Sequence, residues 1–177
     1  MLAPGFLLKD RTVTISLRDA RNSRADRSWI ANVFRDYIDD LDPLSTGIFP
    51  VLGEVGHREP DQVARWFGDP NAVPLVIAQS QVPVGFAMVA RMNAGADFRM
   101  GEFFIDRAHR GLGLGSGAVQ LILDRFAGRW EIIEYQRNPV AVRFWRRVVT
   151  AYTGGSYQER VFNGEVRQTF ESGPRRR

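Results

Sequence analysis

Between Asp106 and Ser116 the chain reads Asp-Arg-Ala-His-Arg-Gly-Leu-Gly-Leu-Gly-Ser, with glycines at 111, 113 and 115. Alternate residues there carry no side chain. An apolar strand-like run, Glu102 to Ile105, precedes this stretch and a helical pattern follows it. Without Cβ atoms the backbone can turn successive N–H groups towards one point, and the N-terminal end of the next helix adds its partial positive charge. Together they make an anion cradle suited to a pyrophosphate, with Arg107 and Arg110 close by. An ordinary glycine-rich turn has the same composition, so the neighbouring elements have to decide.

Those elements can be read from periodicity. Val13, Ile15 and Leu17 alternate with polar residues and predict a half-buried strand. Ile30, Val33, Phe34, Tyr37, Ile38 and Leu41 fall at helical spacing between Asp26 and Leu41. Residues 42 to 59, rich in glycine and proline, predict an irregular segment able to act as a lid, before a short helix from Pro60 to Phe67. Leu75 to Ala78 and Val84 to Met92 form a hairpin pair, and Glu102 to Ile105 a further strand. A helix from about Ser116 to Ala127 follows, with Gly128 as its expected C-cap. Trp130 to Gln136 reads as a strand. Asn138 can then cap a helix with Pro139 at its first position and Ala141, Phe144, Trp145 and Val148 on its buried stripe. Two last strands, near 156–162 and 166–170, are joined by Asn163-Gly164, a type I′ turn signal. The order is βααβββαβαββ, with a frayed basic tail expected at 173–177.

Composition removes several chemistries. The 177 residues, 44% hydrophobic and 25% charged, fit one domain spanning the chain. There is no cysteine, so thiolate catalysis, disulfides and cysteine-ligated metals are excluded. Lys9 is the sole lysine, which argues against a P-loop or a buried Schiff base. His57 and His109 are too few for a three-histidine metal site. No run of apolar residues is long enough for a membrane span, and the start lacks the order of a secretory signal, so a cytoplasmic protein is expected. Residues 1–97 carry 10 basic and 12 acidic side chains, and residues 98–177 carry 14 and 8. A basic second half suits an anionic ligand or nucleic acid, although no aromatic-interleaved basic strand or recognition-helix pattern supports the latter.

One context for the glycines is a dinucleotide site, since Gly113-Leu-Gly-Ser-Gly-Ala118 satisfies G-x-G-x-x-A and Glu134 follows at a strand end. Five residues separate the strand from the first glycine, however, and only 43 remain after Glu134, too few for a second nucleotide-binding half. The other context fits better. Arg110-Gly-Leu-Gly-Leu-Gly115 resembles the [QR]-x-x-G-x-[GA] loop of the GNAT superfamily of N-acetyltransferases, between its fourth strand and third helix. Asn138-Pro-Val-Ala-Val-Arg-Phe-Trp145 is similar to that superfamily's N-x-x-A-x-x-F-[YW] at the head of the fourth helix. The close resemblance covers about residues 100 to 152, and the element order extends it to most of the chain.

The resemblance implies an α/β (α+β) fold: a central, mixed, mostly antiparallel sheet of six to seven strands with a splayed parallel pair, flanked by four helices. It implies acetyl-CoA as the acyl donor and an amine as the acceptor. By position, the backbone of Phe103, Phe104 and Ile105 would hold the pantetheine arm and acetyl carbonyl. Arg110, Gly111, Leu112, Gly113, Leu114, Gly115 and Ser116 would bind the pyrophosphate, and Asn138 would face the pantetheine. The physical logic stands beside the name: a splayed pair of strands leaves unpaired N–H groups, and one aimed at the thioester oxygen acts as an oxyanion hole.

The acceptor amine is the harder partner. A lysine-like amine with a pKa near 10.4 costs about 4 kcal/mol to present as the free base at neutral pH, which calls for a general base. Glu102 is the candidate, with Glu134 second; a surface carboxylate paired with Arg99 or Arg107 is the alternative for Glu102. The family's usual tyrosine acid is replaced by Trp145, leaving Tyr152, water, or no acid at all for a thiolate whose conjugate acid has a pKa near 8.5. Trp145 is expected in the core or along the thioester channel, and Trp29, Trp66 and Trp130 in packing.

Asp36, Asp39, Asp40 and Asp42, with Glu54 and Glu59, could form an acidic rim for a cationic amine, though a solvated helix face is the commoner meaning of such a run. The reading is thus an N-acetyltransferase acting on a primary amine of a small molecule or peptide, as monomer or homodimer, with neither membrane nor nucleic-acid partner expected. A non-catalytic acyl-CoA-binding protein on the same fold is the alternative that Trp145 raises.

Overall fold

The computed structural model describes residues 14–41 and 62–173. Seven strands and four helices follow the expected order: β1 (Ile15–Asp19), α1 (Arg24–Leu41), α2 (Gln62–Gly68), β2 (Ala72–Gln79), β3 (Val82–Arg91), β4 (Phe98–Ile105), α3 (Leu114–Arg125), β5 (Gly128–Tyr135), α4 (Pro139–Thr153), β6 (Gln158–Phe162) and β7 (Glu165–Ser172). The strands form one sheet in the order β1-β2-β3-β4-β5-β7-β6, and every neighbouring pair is antiparallel except β4–β5. Both hairpin turns that close tightly have positive φ at two successive residues, at Asn163-Gly164 as the sequence predicts and at Ser80-Gln81 without a glycine.

Each face of the sheet has its own core. On one side α3 and α4 bury Leu75, Ile77, Val89, Trp130, Ile132 and Phe170 beneath Val119, Ile122, Trp145 and Val149. Trp130 is fully buried and its Nε1–H donates to the Phe126 carbonyl at 2.8 Å, so truncation to alanine would cost about 3–5 kcal/mol. On the other side α1 and α2 cover Val76, Phe86, Met88 and Phe104 with Ile30, Tyr37, Val63 and Trp66. Ser23 Oγ accepts from the Asp26 N–H at 3.1 Å and caps α1, while Arg18 of β1 grips the buried Asp26 carboxylate through Nε and Nη2 at 2.8 and 2.6 Å. That pair docks the start of α1 on the sheet edge.

The boundaries differ from expectation in three informative places. β4 starts at Phe98, not Glu102, because Phe98 and Met100 already point into the α3/α4 core. α3 starts two residues early, at Leu114, so Gly115 and Ser116 belong to its first turn. Gly128 does not cap α3: the Phe126 N–H closes the helix on Ile122 O at 3.0 Å, and Gly128 opens β5 at φ +149, where a Cβ would meet Asp97 Oδ2 at 2.9 Å. On α4 the buried positions are Val142, Trp145, Val148 and Val149, with Ala141 and Phe144 half-buried. Val13, the irregular segment 42–59, Pro60 and the tail beyond Gly173 lie outside the described residues.

Candidate active site

The site begins where the sheet fails to close. β4 and β5 pair only at Phe98↔Trp130 and Arg99↔Glu131, and the two strands separate beyond those rungs. The separation starts at a β-bulge, since Met88 of β3 faces Glu102 and Val89 faces Met100, which makes Gly101 the extra residue of β4. The bulge resets the alternation of β4. Arg99, Glu102 and Phe104 consequently face the α1 side, while Met100, Phe103 and Ile105 face α3 and α4. From Gly101 to Ile105 this edge of β4 has no strand beside it among the described residues, leaving main-chain groups for a ligand.

Directly after that open edge comes the glycine loop. Asp106 N–H ties its start to Val84 O at 2.9 Å, and a single 3-10 turn, Arg107–His109, carries the chain to Arg110. Gly111 and Gly113 both sit at φ +78, where a side chain strains the backbone, and a Cβ at either would point into open space. The first hydrogen bond of α3 runs from Gly117 N–H to Gly113 O at 3.0 Å, so the amides of Leu114, Gly115 and Ser116 have no acceptor within the helix. They point out of its N-terminal end, the geometry that receives an oxyanion. Gly115 has a second use, since a Cβ there would lie 3.3 Å from Phe144 of α4, and its absence lets the two helices approach beside the gap.

Side chains around the gap divide between the faces. Towards α4, Phe103 stacks on Phe144 with centroids 5.7 Å apart and meets Trp145 edge-on at 5.4 Å, so three aromatic rings wall that side. Asn138 caps α4, its Oδ1 accepting from the Ala141 N–H at 3.1 Å. Towards α1, Glu102 is buried and its Oε2 accepts from the Tyr37 hydroxyl. The sequence marks Tyr37 only as part of an apolar stripe; nothing in the spacing shows that its para oxygen reaches another element.

Other expected site groups are placed apart. Arg110 donates from Nε to Ile105 O at 2.7 Å, lies over the Phe104 ring at 5.4 Å and pairs with Asp40, so its guanidinium braces the loop against β4 and α1. Arg107 Nε donates to the same carboxylate at 2.6 Å, and the Asp40 contact holds the guanidinium above its ordinary pKa. The acidic rim is therefore partly neutralised: Asp40 serves two arginines, and Asp42, Glu54, Glu59 and His57 lie outside the described residues. His109 Nδ1 lies 3.0 Å from Asp106 Oδ2 at the flank of the loop. Tyr152 donates to Asp124 Oδ1 at 2.8 Å, near the C-terminal end of α4 and roughly 20 Å of helix from Asn138. It is not brought together with Glu102.

Glu134 lies on the opposite face from Glu102, beneath α4. It is 5% exposed, neither carboxylate oxygen has a hydrogen-bond partner among the described residues, and burial, reinforced by the Glu159 charge and opposed by Arg146, pushes its pKa up to about 8. Glu159 is instead held below the usual carboxylate range, first by its bidentate bond from Arg146 and also by Gln168. Among the described residues no cluster of three or more histidine and carboxylate groups could hold a metal, and no helix is long and apolar enough to cross a membrane.

The fold that carries this open edge and glycine loop is shared with known proteins. No curated protein matches the chain in sequence. Solved structures match in fold: an acetyltransferase from Thermus thermophilus with a TM-score of 0.61 at 20% identity, over 89% of this chain and 97% of that one. The PaiA N-acetyltransferase from Thermoplasma acidophilum, solved in complex with coenzyme A, gives 0.58 at 9% identity over 89% and 99%. An aminoglycoside 6′-acetyltransferase type Ii gives 0.61 at 12% identity over 92% and 99%. The sequence profile described as the acetyltransferase (GNAT) family matches residues 35–149. That match spans the end of α1, α2, the splayed strands, the glycine loop and most of α4, and by it the chain belongs to the acetyltransferase (GNAT) family.

Proposed function

We propose that the protein transfers an acetyl group from acetyl-CoA to a primary amine of a small molecule or peptide. The observation that carries this is the opening of the β4–β5 pair immediately beside a loop whose glycines and helix-end amides converge. The loop from Arg110 to Ser116 suits the diphosphate of the coenzyme, with Arg110 contributing its main chain because its side chain is engaged elsewhere. The edge of Phe103, Phe104 and Ile105 suits an extended pantetheine arm laid down like an added strand, and a main-chain N–H of that edge would stabilise the oxyanion as the amine attacks. Asn138 stands at the head of α4 on the facing side, and Phe103, Phe144 and Trp145 exclude water there.

Glu102 is the general base of this reading. It lies at the start of the open edge, on the face away from the coenzyme loop, where the Tyr37 hydroxyl donates to its Oε2, and it takes the proton from the amine directly or through water. The amine nitrogen forms its bond to the acetyl carbon, the carbon–sulfur bond breaks, and the thiolate leaves with little assistance because its conjugate acid has a pKa near 8.5. No side-chain acid is required, consistent with Trp145 at the family's tyrosine position and Tyr152 bound to Asp124. Mixing the protein with acetyl-CoA and a panel of amines should release free thiol in an amine-dependent way. Tight coenzyme binding with no release for any amine would favour the non-catalytic acyl-CoA-binding alternative.

A further inference from the structure

On the face carrying Glu102, the part of the sheet made by β5, β7 and β6 is covered by no helix among the described residues. It holds a groove of about 800 Å³, bounded by the β3–β4 loop at Gly95 and by Tyr157 before β6. Arg99, Arg129, Arg160 and Arg167 line it, against the two carboxylates Glu131 and Glu171. Arginines therefore outnumber carboxylates in its lining.

We infer that this groove binds an oxyanion, a carboxylate or phosphate, carried by the acceptor amine. Three observations support it. Glu131 is buried and engaged at both oxygens: Oε2 accepts from Arg99 Nε at 2.8 Å and Oε1 from Arg167 Nη1 at 2.9 Å, so it orients both guanidiniums. Arg160 and Arg167 are directly opposite each other in the β6–β7 register, an unfavourable like-charge pair in which Glu131 and Glu165 offset Arg167 but not Arg160, so an added anion beside Arg160 would relieve it. Arg160 has no acidic partner among the described residues, while the Arg129 side chain reaches Asp97 only at 3.7 Å, its backbone N–H holding that carboxylate at 2.8 Å. Several guanidinium donors thus remain available in the planar geometry that matches a carboxylate or phosphate.

The groove also has the right position. Arg99 and Glu131 form the last rung before the strands part, and Glu102 lies three residues along the same face of β4, roughly 10 Å of strand. An amine presented to Glu102 would trail its chain over Arg99 towards Arg167 and Arg160. The acceptor is then a primary amine bearing a terminal anion, not the purely cationic amine that an acidic rim would select. The amine end of this inference rests on the acetyl-transfer reading, whereas the anion end does not.

The test has two arms. Acetyl transfer is measured on straight-chain alkylamines, ω-amino carboxylates and aminoalkyl phosphates of matched length, with the native protein and with Arg160→Glu. Glutarate, which cannot be acetylated, is titrated separately into both proteins at low ionic strength by calorimetry. The expected result is at least tenfold higher kcat/KM for one anionic series over the alkylamines, the preferred series identifying carboxylate or phosphate. Arg160→Glu should remove at least tenfold of that ratio and abolish saturable glutarate uptake. Transfer without anionic preference, or a ratio indifferent to Arg160→Glu, overturns the inference while leaving the acetyltransferase reading intact. Glutarate uptake lost in Arg160→Glu but no transfer to any amine would uphold the groove and overturn the acetyl-transfer reading. Absence of both overturns both.

Discussion

On the face covered by α3 and α4 the site is made of main chain, whereas on the face covered by α1 it is made of charged side chains. The side proposed for the coenzyme has Gly111 and Gly113 at φ +78, helix-end amides and an open strand edge. The other side relies on Glu102 with Tyr37, on Asp40 with two arginines, and on Arg99, Glu131 and Arg167. A backbone cradle has a fixed shape that most side-chain changes leave untouched; a charge array can be retuned one residue at a time. The faces are therefore expected to fail differently when altered.

The largest effect should follow Gly113→Val. A β-branched side chain at φ +78 costs roughly 1–2 kcal/mol or more locally and turns the loop amides away from their common point. Calorimetric titration with coenzyme A should show binding weakened by at least about a hundredfold, since several charge-assisted hydrogen bonds depend on one conformation. Undiminished binding would break the assignment of the cradle. Glu102→Gln comes next and tests the opposite face: steady-state kinetics should show kcat reduced by about 10²–10³ with coenzyme affinity preserved, and the limb of the pH–rate profile assigned to the base lost. If coenzyme affinity fell in parallel, the division of labour between faces would be wrong.

The same division explains what could be read in advance. Glycines advertise backbone conformations, so residues 111, 113 and 115 and the Asn138-Pro139 cap were visible in one dimension, as were the period-two and period-3.6 runs that set the order of elements. The side-chain face was not. Tyr37 meets Glu102 across 65 positions and Asp40 meets Arg107 across 67, contacts fixed by how α1 lies on the sheet and by the bulge at Gly101 that turns Glu102 towards it. The arginine partners of Asp40 are remote in sequence, so the run of aspartates alone does not separate an acidic rim from a solvated helix face. Arg160 opposite Arg167 became visible only with the β6–β7 register.

Glu134 sharpens the comparison by placing a buried carboxylate on the main-chain face. Its pKa is raised to about 8 from an ordinary value of 4.5, so between those limits the folded protein holds a proton that the unfolded chain has released. Folding stability is then undiminished by this group below about pH 4.5, declines by up to about 1.4 kcal/mol per pH unit as pH rises, and levels off above about pH 8. Glu134→Gln keeps the shape without the titration. Urea unfolding across that range should show the variant gaining on the native protein as pH increases; parallel curves would mean that the carboxyl ionises without penalty under α4.

The smallest expected effect tests whether the two faces communicate. Asp40 on α1 holds Arg107 and Arg110, which border the glycine loop, and Arg110 also ties Ile105 O at the end of the open edge. Asp40→Asn removes a negative charge beside the anion cradle while conserving size. If the link is electrostatic, coenzyme A should bind a few-fold more tightly at low ionic strength, and the gain should fade as salt screens it over a Debye length of about 10 Å at 0.1 M. Weaker binding at every salt concentration would instead mean that Asp40 shapes the loop through Arg110, so that the charged face mechanically supports the backbone face.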